Sequence, residues 1–319
     1  MKKILVAFFF SIVCLYATSV GTPIQQIEVN GAVKDMTLHD NELLIATDNG
    51  MVQVYDYEQH IFIKNIMLPQ VKDFTGDMVP PRVFSVDKTA QRYLLLSDSG
   101  KGGYVNLWIH ENDESKQVLK AEDKIAAIKA RFIDKSHILL GLLSNEAILY
   151  DISKKKELFR VQLSESKFSD FALNEDKTQA VFACESGVLN IIDTQTGKIL
   201  KVLQGQNVDN VYKVDFKQGI ISAAGQDRRG TLYFLTNGKG TYIHGDFLIY
   251  ATALSPSAKQ VAFAMDEQNN ISIYDVSTKS KIAILKGQKS TLNTILFKDE
   301  NTLFSASDDN TVMMWKLNQ

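Results

Sequence analysis

A strand–turn–strand unit returns through this chain at a nearly fixed spacing, and that repeat limits the fold more than any other feature. Read on the bulky residue that ends the second strand of each unit, the anchors are Tyr55, Trp108, Tyr150, Ile192, Phe234, Tyr274 and Trp315. Successive anchors lie 53, 42, 42, 42, 40 and 41 residues apart. A spacing of ~40–45 residues is the period of a four-stranded propeller blade. The stretches that reach the anchors, such as Val52-Gln-Val-Tyr-Asp56 and Ile271-Ser-Ile-Tyr-Asp275, alternate apolar and polar residues with the two-residue period of a strand.

Ahead of each anchored strand runs a more apolar one, for example residues 43–46, 180–183 and 261–264, which is expected to be a central strand covered on both faces. Between the two strands stand Asp48-Asn49-Gly50, Asp98-Ser99-Gly100, Glu185-Ser186-Gly187 and Asp309-Asn310. These residue types tolerate positive φ or cap a turn with the side chain. Helical periodicity is nowhere sustained.

This pattern resembles the WD40 class of β-propeller, with Tyr-Asp or Ile-Asp standing where that family carries Trp-Asp. The resemblance covers residues from about 24 to 317. The family's Gly-His pair is represented by Gly205-Gln206 and Gly287-Gln288, and the last anchor is followed by Lys316. The family's His–Ser/Thr–Asp–Trp hydrogen-bond network is therefore not expected in most blades. The fold class expected is all-β: a seven-bladed β-propeller of four-stranded antiparallel blades. The last blade runs out of chain after its third strand, and residues 24–29 read as the strand that completes it and removes the bare edge.

Met1-Lys2-Lys3 precedes an apolar run over residues 4–15 and then small residues, the arrangement of a cleaved secretory signal. An apolar run this short spans a ~30 Å hydrocarbon core poorly. Residues 1–19 are thus expected to be a signal peptide and 20–319 one propeller domain, located in the periplasm, with no membrane span after cleavage. Cys14 lacks a small residue immediately upstream, which argues against lipidation. Cys184 is then the one cysteine left, so the fold must stand on packing rather than a disulfide. With 35 Lys+Arg against 37 Asp+Glu, bulk charge gives no footing for nucleic acid.

No catalytic motif is evident: there is neither a Gly-x-Ser-x-Gly elbow nor a phosphate loop. His39, His60, His110, His137 and His244 are too scattered for a metal site. Asp56, Asp151, Asp193 and Asp275 recur at one blade position, as turn-forming residues do. The acidic turn at residues 266–270 lacks the ligand order of a calcium loop. Catalytic, cofactor and metal residues are accordingly none, and the chain is expected to be a non-enzymatic monomer.

Blade two is the irregular one. Its excess length falls in residues 69–82 and 100–104, loops that open on one face of a propeller together with Arg228 and Arg229 of blade five. Phe74, Arg82, Lys101, Tyr104, Arg228 and Arg229 are the candidate partner-binding residues. The whole chain also resembles the NapL family of accessory propellers of periplasmic nitrate reductase systems. That resemblance implies protein partners among the nitrate reductase components and carries over no residue-level site. A generic exported assembly adaptor, and a propeller enzyme of lactonase or quinoprotein type, are the alternatives.

Overall fold

The computed structural model describes residues 18–317. Seven four-stranded antiparallel blades span residues 33–67, 83–119, 127–162, 168–203, 211–244, 251–285 and 292–316, the last completed by Gln25–Glu28. Innermost strands pack on their neighbours in cyclic order, and the innermost strand of blade seven, Leu292–Phe297, closes on that of blade one, Val33–His39. The expected seven-bladed β-propeller is therefore the fold. One short 3-10 turn, Ala121–Asp123, is the only helical piece among the described residues.

Closure follows the expected route. Gln25–Glu28 pairs antiparallel with Thr311–Lys316, setting Gln25 opposite Met314 and Glu28 opposite Thr311. Ile24 N and Val29 N extend the ladder to Met314 O (2.8 Å) and Asn310 O (2.9 Å). Ile27 and Val29 are buried against Met36, Val312 and Phe304. A second feature was not expected: Ser19–Gly21 runs parallel to Lys281–Leu285 and adds a fifth strand to blade six. The expected signal peptide of residues 1–19 lies almost wholly outside the described residues.

The central strands are apolar because both faces are covered. Leu43, Leu44 and Ile45 in blade one and Leu94, Leu95 and Leu96 in blade two have no exposed surface. Each such side chain contributes ~1.5–3 kcal/mol by leaving water. Strand pairing moves two anchors. Tyr55 lies opposite Leu43, Tyr150 opposite Ile138 and Trp315 opposite Leu303, but the same position in blade two is His110, opposite Tyr93, and in blade five Tyr233, opposite Ile221. Trp108 and Phe234 sit two residues before and one after the true anchor. Side-chain bulk alone misplaces the register there, because blade two is built of longer strands.

Six innermost strands begin with a register shift after their first paired residue, at Val33, Val83, Ala127, Phe168, Val211 and Leu292. The bulge re-aims the residues that follow, and acidic ones then reach the next blade. Asp35 accepts from Val86 N (3.0 Å), Asp87 from Phe132 N (2.7 Å), Asp170 from Val214 N (3.1 Å) and Asp215 from Leu254 N (2.8 Å). Ser85 Oγ joins blades two and three by donating to Ala130 O and accepting from Ala130 N. Backbone donors at the edges of the innermost strands thus find partners in neighbouring blades, and blade is tied to blade around the channel.

Candidate functional site

Residues 68–82 leave the outer strand of blade one and form a small hairpin, Val71–Lys72 with Met78–Val79, before blade two begins. Asp73 sets its tip. One carboxylate oxygen accepts from Thr75 N (2.9 Å), Thr75 Oγ1 (2.7 Å), Gly76 N (2.9 Å) and Asp77 N (2.9 Å), while Asp73 N donates to Asp77 O (2.9 Å). The hydrogen bond from Thr75 and those backbone donors hold the Asp73 carboxyl below its ordinary range.

The hairpin is wedged between two turns. At Gly100 (φ +71°) a Cβ would collide with the Lys72 carbonyl oxygen, and at Gly50 (φ +71°) it would press on Pro80 and Pro81. Both turns therefore require glycine, for conformation and for clearance. The tip they support carries Phe74, 97 % exposed, and the flanking Met67 and Met78 are 68 % and 56 % exposed. Three large apolar side chains thus stand in water on or beside one ordered loop.

Of the candidate partner-binding residues, Phe74 and Arg82 belong to this insertion and both are exposed. Lys101 and Tyr104 lie on the adjoining turn of blade two and line a shallow recess of about 260 Å³ with Gly102, Ala121, Glu122 and Lys124. Lys101 Nζ donates to Glu122 Oε1 at 2.9 Å, and this hydrogen bond lowers the Glu122 carboxyl. These four residues form one neighbourhood.

Arg228 and Arg229 do not join it, because blade five is separated from blade two by blades three and four on one side and by blades six, seven and one on the other. Arg228 is an exposed turn residue with φ +62°. Arg229 is turned inward on its own blade, donating to Gln206 O (2.7 Å) and stacking 4.6 Å from the Tyr242 ring. Met67 and Met78 are not among the sequence candidates: Met67 ends the outer strand of blade one, opposite Met51, and Met78 belongs to the inserted hairpin.

The remaining polar candidates serve the fold. Asp56, Asp151, Asp193 and Asp275 each accept backbone N–H groups of the turn that follows, as at Thr196 N (2.8 Å) and Thr278 N (2.7 Å). Asp266 accepts from Gln268 N, Asn270 N and Asn270 Nδ2. His110 meets Ser115 Oγ at 2.9 Å, and His137 lies 2.7 Å from Asp134. Cys184 is buried beside Ser186 and Val188 O. Among the described residues no three His, Cys, Asp or Glu side chains gather as a metal centre would require.

Blade seven carries a buried polar chain. Trp315 Nε1 donates to Ser305 Oγ (2.8 Å), Ser305 Oγ to Gln288 Oε1 (2.8 Å), Gln288 Nε2 to Ser307 Oγ (2.5 Å) and Ser307 Oγ to Asp309 Oδ1 (2.9 Å). Gln288, of the Gly287-Gln288 pair, uses its amide to accept from one serine and donate to another. Residues 279–316, the outer strand of blade six together with the first three strands of blade seven, match the WD40 family (WD domain, G-beta repeat). With seven such blades, the fold is that of a WD40-like β-propeller. No curated protein matches the chain.

Proposed function

We propose that this chain is an exported, non-catalytic propeller that binds other proteins through the insertion between blades one and two. The observation that carries the reading is Phe74. Its ring is almost wholly in water at the tip of a hairpin that Asp73, Gly50 and Gly100 hold in one shape. A large apolar group on a pre-ordered support loses little entropy when a partner covers it, and aromatic residues dominate protein interfaces. Propeller rims of WD40-like proteins suit this role.

The basic start and short apolar run of residues 1–15 support export to the periplasm. The resemblance of the whole chain to the NapL family supports periplasmic nitrate reductase components as the partners, with this protein assisting their assembly or function. Among the described residues no helix is long and apolar enough to cross a membrane.

Affinity capture from periplasmic extract, with the intact chain and with Phe74→Asp as bait, tests the proposal. Reductase components retained by the first bait and lost from the second are the expected result. Equal recovery by both baits would remove the hairpin from the interface, and recovery of outer-membrane assembly proteins alone would overturn the nitrate reductase assignment. A stoichiometric metal or quinone in the purified protein would overturn the non-catalytic reading.

A further inference from the structure

The central channel encloses a half-open cavity of about 380 Å³. After the bulges, the first aligned position of the innermost strands holds Asp35, Ser85, Lys129, Asp170, Lys213 and Thr294 in blades one to five and seven, opposite Ala46, Leu96, Gly141, Ala183, Ala224 and Ala306. Two residues on, Thr37, Asp87, Arg131 and Asp215 form a second tier. The channel is therefore lined by charge, and the way that charge is paired determines what else it takes.

Every carboxylate there is engaged. Asp35 is held by Arg131 at 2.8 and 2.9 Å and by Val86 N; Asp170 by Lys129 Nζ at 2.6 Å and by Val214 N. Asp87 accepts from Lys88 N and Phe132 N, and Asp215 from Phe216 N and Leu254 N. The cations exceed the acids: Lys129, Arg131, Lys177, Lys213 and Lys217 face four aspartates. Lys177 Nζ donates to Phe132 O, but among the described residues the side chains of Lys213 and Lys217 have neither a hydrogen bond nor an ion pair, although the Lys213 charge acts on Asp35. Lys213 lies close enough to add to the positive field at Lys129, whose ammonium is held below the ordinary lysine range by burial and by Arg131 and Lys213, against the pull of Asp170.

Two hydroxyls complete the set. Thr294, 8 % exposed, and Thr37 both line the cavity, and the buried Oγ1 of each meets no hydrogen-bond partner. What the channel leaves unmet are the ammonium groups of Lys213 and Lys217 and two hydroxyls, while its carboxylates are engaged. A cation finds no free carboxylate there; an anion finds donors.

We infer that the channel binds one compact oxyanion, inorganic phosphate or a short carboxylate, in the cavity that Lys213 and Thr294 both line. Charge-assisted hydrogen bonds from a lysine ammonium are the strong kind, and anion binding also neutralises the excess channel charge. The ligand binds the ring and not the unfolded chain, so occupancy raises thermal stability.

The test uses the purified chain, titrated with sodium phosphate in one arm and sodium succinate in the other, at constant ionic strength against chloride. Calorimetry follows heat and stoichiometry, and thermal unfolding follows stabilisation. One site saturable by phosphate or by succinate is expected, and the arm that responds identifies the source of the oxyanion. Lys213→Met should weaken binding about tenfold or more while unfolding no earlier than the parent without ligand. Thr294→Val keeps the side-chain shape and should weaken binding several-fold, so the inference stays testable if the first variant folds poorly. Lys116→Met, on the exposed outer strand of blade two, should bind as the parent does. No response beyond chloride in either arm, or undiminished binding in either channel variant, would overturn the inference.

Discussion

Arg131 of blade three reaches past blade two and grips both carboxylate oxygens of Asp35 in blade one, at 2.8 and 2.9 Å. The two side chains are 13 % and 7 % exposed. Burial is the largest single influence on Asp35 and opposes its ionisation, but the Arg131 guanidinium together with the Lys129 and Lys213 charges outweighs it and holds the carboxyl below its ordinary value of 3.8. A charge left alone at such a site is costly, so Asp35→Asn should lose ~3–5 kcal/mol at neutral pH. The pH dependence follows from the direction of the shift. The contribution of Asp35 is fully present above the ordinary carboxyl value near 3.8 and is lost as pH falls through its lower folded value. Urea denaturation at a series of pH values should show that acid-side loss in the parent and a reduced loss in Asp35→Asn.

In blade seven, Gln288 links Ser305 to Ser307 with no exposed polar atom between Trp315 and Asp309 to take over. Gln288→Leu leaves the Ser305 hydroxyl without its acceptor and Ser307 Oγ without its amide donor and should cost ~2–3 kcal/mol, since each buried polar group left partly unpaired costs ~1–3 kcal/mol. Gln288→His restores a donor and an acceptor and should cost under ~1 kcal/mol by the same reasoning. Equilibrium unfolding monitored by tryptophan fluorescence separates the two.

Removing residues 24–30 takes away the strand that covers Thr311–Lys316 along with buried Ile27 and Val29. Two such side chains are worth several kcal/mol together, and the third strand of blade seven becomes an open edge. The melting temperature should drop by about 10 °C or more, with concentration-dependent aggregation measurable by light scattering. Full thermal stability in the deletion protein would refute closure by this strand.

Phe74→Asp should leave stability within ~0.5 kcal/mol of the parent, because the ring contacts so little of its own fold. Affinity for the captured partner should fall by ~30-fold or more if the ring fills a pocket there, as aromatic hot spots of ≥ 2 kcal/mol do. Surface plasmon resonance with the captured partner measures the second effect and thermal unfolding the first.

Blade number, central strands and ring closure were legible in the sequence because they rest on local signals: apolar runs, period-two alternation and turn residues such as Asp309-Asn310. Register was less so. Tyr233 and Phe234 are adjacent aromatics, and only pairing with Ile221 decides which one is inside. The parallel strand at Ser19–Gly21 has no periodic mark, since three residues lying on blade six answer to a contact more than 250 positions away. The rim insertion showed itself as added length, which located Phe74 and Arg82 but could not show that Arg228 and Arg229 stand blades apart from them. The channel was hidden for a different reason: Lys129, Arg131, Lys213 and Asp215 look like solvated strand residues, and only the ring turns their side of the strand inward.

From Ser19 to His39 the chain lies on blade six, then blade seven, then blade one. The pairing of Gln25 with Met314 joins two points nearly the whole chain apart, so the contact that makes the ring a ring has the longest loop to close of any strand pairing among the described residues. A strand synthesised early must wait, unpaired, for one synthesised late. Non-local closure of this kind slows folding.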